Sequence, residues 1–433
     1  MPVHTIQDAD HMSKAAPNKF VINSLVLKKG KTKSRVVCDI DMVTFNKRKR
    51  ENVVENHKIF FEAPAEYTKY LVHERCDAFV VLVLRYSLSH GYNIESAVPM
   101  SEDLYFNITE RLLPNLVKNG GYDIRINVET APPLPPGTAV GTGISCGVDC
   151  FNTIVRFLDH PIESYRLTHL CINNVGAFNS IYRRVGKQVA HDESYRRAEM
   201  AAKEIGLPLI ETDSNVTDLY VESHLYSHNY SSAFAVMCMK KLWRCYLYSS
   251  SGEDFVSNFT LEHYLKHDSA RYELLLYSCF STSSLTLITE GDYMSRFEKI
   301  ERISGYPPAT KYLYSCALKD KNCGRCTKCL RNLLALDALG KLDRFDGDYD
   351  IAAYRNRRER NLRYLIKKKE TEFFKPTYEA MVRKKDKDLL MIENGVKRRY
   401  ERLCAAGSYA EAVELVAPYA TSDLWAARRV ALS

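Results

Sequence analysis

The sequence predicts an α/β protein: a parallel sheet with helices on both faces, an N-terminal α/β domain before it, and a four-cysteine zinc module and a helical C-terminal tail after it. Three observations predict this. From residue 138 short apolar runs alternate with stretches of helical spacing, the rhythm of a parallel sheet. A proline-rich segment, APPLPPG at 131–137, separates that rhythm from an earlier one. Beyond about residue 345 the pattern is helical and basic.

The bulk numbers agree. At 433 residues the chain exceeds one ordinary core, and 45% hydrophobic with 26% charged residues is the balance of a soluble globular protein. Its longest apolar run, 79–84, is far too short to span a bilayer, so no membrane is expected. No basic flank precedes an apolar core near Met1, so no signal peptide is visible. Thirteen cysteines in such a chain argue for reduced thiols in a cytoplasmic setting, with any close cluster kept for metal or chemistry.

In the first domain, 1–132, β-branched runs at 20–27, 34–40 and 57–62 read as strands, and 65–92 as one long helix. Ser101 with Glu102 and Asp103 marks the start of a second helix running to Leu116, and 122–128 reads as a further strand. The second domain, 138–345, opens with the strand AVGTGIS and a helix over 148–160. Strands at 167–173, 207–211 and 244–248 then alternate with helices at 192–205 and 231–242. Ligands of such sheets bind where loops leave the carboxyl ends of strands.

The tail, 346–433, holds much of the net charge of +8, in RNRRERNLRYLIKKK and MVRKKDKD. A solvated helix face and a phosphate-gripping tract both fit that pattern. AAGSYAEAVELV followed by TSDLWAARRVAL reads as one helical hairpin.

Between the first strand and first helix of the second domain lies Gly141-Thr142-Gly143-Ile144-Ser145-Cys146-Gly147-Val148-Asp149-Cys150. Small residues there let backbone N–H groups approach a phosphate, and the positive end of the following helix favours the anion. Asp149 suits an Mg²⁺ partner or a helix cap. Downstream, Cys316, Cys323, Cys326 and Cys329 form Cys-x6-Cys-x2-Cys-x2-Cys, with Gly324 free to make a tight turn. Four thiolates in so compact a segment suit a closed, structural tetrahedral Zn²⁺ site, although an iron–sulfur cluster uses the same ligands.

The SCGVDC unit resembles the Ser-Gly-Gly-x-Asp-Ser motif of PP-loop ATP pyrophosphatases, which share a Rossmann-like sheet of the adenine nucleotide alpha-hydrolase type. With NCGRCTKCLRN some 170 residues later, the region 138–345 is most similar to 7-cyano-7-deazaguanine synthases. The resemblance implies ATP and Mg²⁺ as ligands, with Gly143, Ser145, Cys146, Gly147, Val148, Asp149, Cys150, Asn173 and Asn174 at the nucleotide. It also implies AMP-forming activation of a carboxylate, on a small molecule or a protein terminus, for attack by an amine or ammonia. Cys146 and Cys150 depart from the motif's glycine and serine, and the first cysteine gap is short. Cys146 either intrudes on the phosphate site or serves as an activated thiol at a helix N-terminus.

Arg296 and Lys299, three apart on a predicted helix, share a face from which to clamp phosphates or a carboxylate, and with Ser145 and Asp149 complete the candidate catalytic set. Ser281 and Thr282 are expected at a strand's carboxyl edge, and Asp213 and Ser214 beside Gly176 in the same cleft. His191, His224 and His267 are given no role. A tRNA-modifying enzyme of thiolase type that grips nucleic acid with its basic tail is one alternative. A non-catalytic nucleotide sensor or scaffold, recruiting protein partners through its N-terminal domain or tail, is the other.

Overall fold

The computed structural model describes residues 18–46, 48–177, 187–220, 222–251, 259–316, 319 and 321–416, without the side chains of 187–190 and 416. Its first strands, β1 (Asn18–Lys28), β2 (Lys33–Asn46) and β3 (Glu51–Pro64), form an antiparallel meander. All three outrun their apolar runs. Backbone pairing carries β2 and β3 to the half-buried Asn46 and the exposed Glu51, both polar, so the sequence pattern fades before the hydrogen bonds do.

The long helix expected at 65–92 is broken. Pro64 leads into a single 3-10 segment, Ala65–Tyr70, and α1 begins only at Asp77 (Asp77–His90). The buried Asp77 carboxylate fixes that start. It accepts from Ser101 N and Oγ at 2.8 and 2.6 Å and pairs with Lys240 at 3.2 Å. Gly91, at φ 71°, closes the helix, and Tyr92–Ser101 then forms β4, a strand not anticipated from sequence. The helix expected from Ser101 is present as α2 (Glu102–Phe106), a π-helical stretch (Asn107–Leu112) and α3 (Leu113–Lys118), with Pro114 near the point where the helix is irregular. Strand β5 (Ile126–Ala131) lies four residues later than predicted, because Gly121 and Tyr122 donate back to Leu116 O and Leu88 O.

The second half alternates as expected: β6 (Ala139–Gly143), α4 (Val148–Phe157), β7 (His169–Asn173), α5 (Lys187–Ile205), β8 (Leu209–Ser214), α6 (His224–Cys238) and β9 (Trp243–Ser249). The next segment corrects an expectation. ELLLYSCF is not a strand but helix α7 (Glu273–Phe280), with Leu276, Tyr277, Cys279 and Phe280 buried along it. Ser281 therefore ends a helix, where its Oγ donates to Tyr277 O, and Thr282 turns back onto Leu285 to start β10 (Thr286–Glu290).

All ten strands make one mixed, mostly parallel sheet in the order β10-β9-β6-β7-β8-β3-β2-β1-β4-β5. The five from β6 to β10 are parallel, ordered 3-2-1-4-5 by their place in the chain. A short antiparallel pairing, Phe61 with Ser214 and Glu62 with Asp213, joins them to the N-terminal strands. The 131–137 segment also docks closely: a Cβ on Gly137 would lie 2.1 Å from the Leu242 backbone.

After β10 come α8 (Arg296–Ile303), α9 (Pro307–Tyr312) and α10 (Thr327–Leu339). The tail is helical as expected: α11 (Ile351–Arg355), α12 (Arg358–Lys368), α13 (Lys375–Arg383), α14 (Lys387–Ala405) and α15 (Tyr409–Val416). The TSDLWAARRVAL half of the expected hairpin lies outside the described residues. Among the described residues, no helix is long and apolar enough to cross a membrane.

Candidate functional site

In a parallel sheet ordered 3-2-1-4-5, the chain leaves β6 and β9 toward opposite flanks, and a crevice opens at their carboxyl ends. A cleft of about 630 Å³ lies there. Gly143, Ser145, Gly147, Val148, Asp149 and Cys150 line it from the β6–α4 loop, and Asn173 from the end of β7.

The loop is held from both sides. Ile144 N donates to Cys171 O at 2.7 Å, and Cys146 O accepts from Tyr314 N at 2.7 Å. Cys146 sits at φ 56°, in the left-handed region that glycine favours. Its side chain is buried in the core beneath the loop and does not line the cleft, so it does not intrude on the space above. Burial, with the neighbouring Cys150, raises its thiol pKa well above the ordinary value. Burial of this kind runs against an activated thiolate at Cys146. Cys150 does face the cleft, where its Sγ donates to Gly147 O at 3.1 Å, and burial pushes its pKa up to about 11. Gly147 precedes α4 without a side-chain cap, and a Cβ there would sit 3.3 Å from Ser145 Oγ.

Asp149 is neither helix cap nor open carboxylate. Its Oδ2 accepts from Arg296 Nη1 at 2.9 Å and its Oδ1 from Lys299 Nζ at 3.3 Å, while Lys299 also donates to Ser250 O at 2.9 Å. Burial opposes the charge of Asp149, but Arg296, Lys299 and Arg331 outweigh it and hold the pKa below the ordinary carboxylate value. Each Asp149 oxygen thus holds one cation, so a metal at this carboxylate would share it with Arg296 and Lys299. The sequence-predicted quartet of Ser145, Asp149, Arg296 and Lys299 is thus brought together, with Arg296 and Asp149 at the cleft and Lys299 buried behind them.

Asn173 belongs to the cleft wall and accepts from Thr212 Oγ1 at 2.7 Å. Asn174 does not line it. Its Nδ2 donates to Asp213 and its carbonyl accepts from Ser214 Oγ, so Asn174, Asp213 and Ser214 lock β7 to β8 instead of facing a ligand. Ser281 and Thr282 lie outside the cleft as well, for the helical reason given above.

The cysteine module adjoins the cleft, which Cys316 helps to line. The thiols of Cys316, Cys323, Cys326 and Cys329 all lie within 4.8 Å of one another, close enough for one metal ion to reach all four. Gly324, at φ 64°, makes the turn, and the amides of Cys326 and Cys329 point at Cys323 Sγ and Cys326 Sγ at 3.3 and 3.5 Å. A hydrogen bond with Cys326, burial and the charge of neighbouring thiols raise the pKa of Cys329, the opposition that a central cation relieves. Helix α10 starts at this cluster and carries Lys328, Arg331 and Asn332 into the cleft. Partial desolvation, with repulsion from Arg331 and Arg296, lowers the pKa of Lys328. The cleft therefore concentrates positive charge around the N-terminus of α4, an arrangement suited to a polyanion.

Comparison of the chain with family models, curated proteins and solved structures finds no match.

One group of cleft residues was not singled out in the sequence. His228 on α6 bonds through Nδ1 to Tyr248 Oη at 2.9 Å and through Nε2 to Asp268 Oδ1 at 2.8 Å, and all three line the cleft. His224, one turn earlier, lines it too, its pKa lowered to about 3 by burial. The legible signal was the spacing: His224 and His228 stand four apart on a helix, hence on one face. His191 pairs with Asp192, and His267 is exposed away from the cleft.

The basic tail splits between structure and solvent. Arg358 contacts Asp337, Asp386 and Asp388 at 2.9, 2.6 and 2.5 Å, and Lys369 pairs with Glu393 at 3.2 Å. These cations hold helices together and are withdrawn from any phosphate-gripping tract.

Proposed function

We propose that the cleft binds ATP and activates a carboxylate by forming an acyl-adenylate, which an amine or ammonia then converts to an amide, as in 7-cyano-7-deazaguanine synthases. The observation that carries this reading is the position of the β6–α4 loop. It sits where the parallel strands β6 to β10, ordered 3-2-1-4-5, reverse their direction of winding, and it lines one cleft with Arg296, Lys328 and Arg331, which supports a nucleotide site of the Rossmann-like kind.

In this reading the loop amides and the start of α4 would receive the phosphates, and Arg331 and Lys328 would offset the charge that develops as pyrophosphate leaves. Mg²⁺, entering with the nucleotide, would add charge neutralisation at the phosphates. Asp149 would set the spacing of Arg296 and Lys299 and need not ligate the metal. The four thiols fit Zn²⁺ in a closed, structural role, and their helix would aim Lys328 and Arg331.

Calorimetry with Mg²⁺-ATP tests the reading, followed by assay of AMP release with carboxy-deazaguanine and ammonia. Saturable binding that Gly147→Val abolishes, with AMP formed only when acid is present, is the expected result. Folded natural protein that binds no ATP would sink it.

A further inference from the structure

Asp268, His228 and Tyr248 form a hydrogen-bonded chain that ends in the cleft on the β9 side, next to the phosphate-loop corner. The order of the chain fixes the protons. The Asp268 carboxylate accepts the Nε2–H of His228, which leaves the Nδ1 lone pair to accept from the Tyr248 hydroxyl. Asp268 is itself anchored, because the same oxygen accepts from Ala270 N at 2.9 Å. The residue after Tyr248 is braced against the phosphate-loop helix, Ser249 Oγ donating to Thr153 Oγ1 at 2.8 Å. The hydroxyl at the tip and the loop thus belong to one rigid corner. A histidine needed only for packing would not require two polar partners in the wall of a cleft.

We propose that Tyr248, His228 and Asp268 are the proton relay for the nucleophile, Tyr248 touching it and His228 and Asp268 acting through Tyr248; this rests on the carboxylate-activating reading above. In the step concerned the amine nitrogen bonds to the acyl carbon and the bond from that carbon to the AMP oxygen breaks. AMP leaves with the bonding pair. The proton shed by nitrogen passes to Tyr248 Oη as the tyrosine's own proton passes to His228 Nδ1, and Asp268 stabilises the imidazolium until it returns the proton to solvent. The charged or titratable groups facing His228 are Tyr248 from β9, Asp268 from the approach to α7, Glu273 from the first turn of α7, and His224 from its own helix.

The two half-reactions separate the claims. Exchange of pyrophosphate into ATP in the presence of carboxy-deazaguanine reports activation alone, and amide formation with added ammonia reports the relay. H228Q and Y248F should keep exchange within about threefold while amide formation falls about a hundredfold, the scale of a lost acid–base group. D268N should fall less. At fixed free ammonia, an added small base such as imidazole should bring H228Q back toward the natural rate, a recovery no packing defect would show. Equal losses in both half-reactions, or none in either, would overturn the relay. Absence of exchange in the natural protein would overturn the activation reading and the relay with it.

Discussion

Asp149 Oδ2 and Arg296 Nη1 meet at 2.9 Å across 147 positions of sequence, and that ion pair ties α4 to α8. With Lys299 on the other oxygen, Asp149 holds two cations at once. Asp149→Asn removes the carboxylate that Lys299, which is 1% exposed, contacts at 3.3 Å. The expected loss is about 2–3 kcal/mol in chemical denaturation, below that of a fully enclosed pair because a fifth of the Asp149 side chain meets solvent. A loss under about 0.5 kcal/mol would mean that solvent already screens the pair.

Glu273 gives a pH prediction. Burial, which outweighs the bond from Ser250, raises its pKa from the ordinary 4.5 to about 7. The folded state then holds a proton that the unfolded chain releases, so this group's contribution is intact below about pH 4.5 and is lost as the pH rises toward 7. Glu273→Gln should therefore gain on the natural protein by up to about 3 kcal/mol between those limits. Denaturation midpoints of both proteins across that range measure it, and parallel curves would refute it.

Cys146 and Cys150 should resist alkylation in the native protein. Burial keeps both as thiols, and Cys146 does not line the cleft. Mass mapping after brief iodoacetamide treatment near pH 8 should find them unmodified, with half-buried Cys404 labelled, and all three labelled in denaturant. Rapid native labelling of Cys146 would restore it as a functional thiol.

Cys326→Ser leaves three thiols where four converge, so the variant should hold less metal than the natural protein, and without an ion drawing the module together the start of the helix that carries Lys328 and Arg331 should loosen. Pyrophosphate affinity should fall about tenfold or more, the scale of one lost charge-assisted hydrogen bond. Elemental analysis and calorimetry read the two effects, and X-ray absorption distinguishes zinc from iron. Unchanged affinity after metal loss would uncouple module from cleft.

Arg358→Ala should release three carboxylates at once. The cost expected is on the order of 2 kcal/mol, concentrated in α10, α12 and α14. Hydrogen exchange should show faster opening of those helices and unchanged protection in β6–β9.

Much of this was legible locally. The alternation after residue 138, the Ser145–Cys150 corner and the four cysteines are set by neighbours in sequence, so pattern and spacing carry them. The errors came where distant partners decide. ELLLYSCF is apolar enough for a strand or a helix, and only packing selects the helix. Asn174 and Asp213 follow strands as ligand residues do, yet they satisfy each other.

By itself, then, the sequence determined the parallel strand–helix alternation, the glycine-bearing loop before α4 and the four-thiol cluster, because each depends on residues within a turn or two of one another. The tertiary structure alone decided that Cys146 faces the core, that Asp149 binds Arg296 and Lys299, and that the cysteine module turns Lys328 and Arg331 into the cleft. It also joined His228 to Tyr248 and Asp268, whose separations of 20 and 40 residues leave no periodic trace. Charge pairing and burial act through space, and chain order records neither.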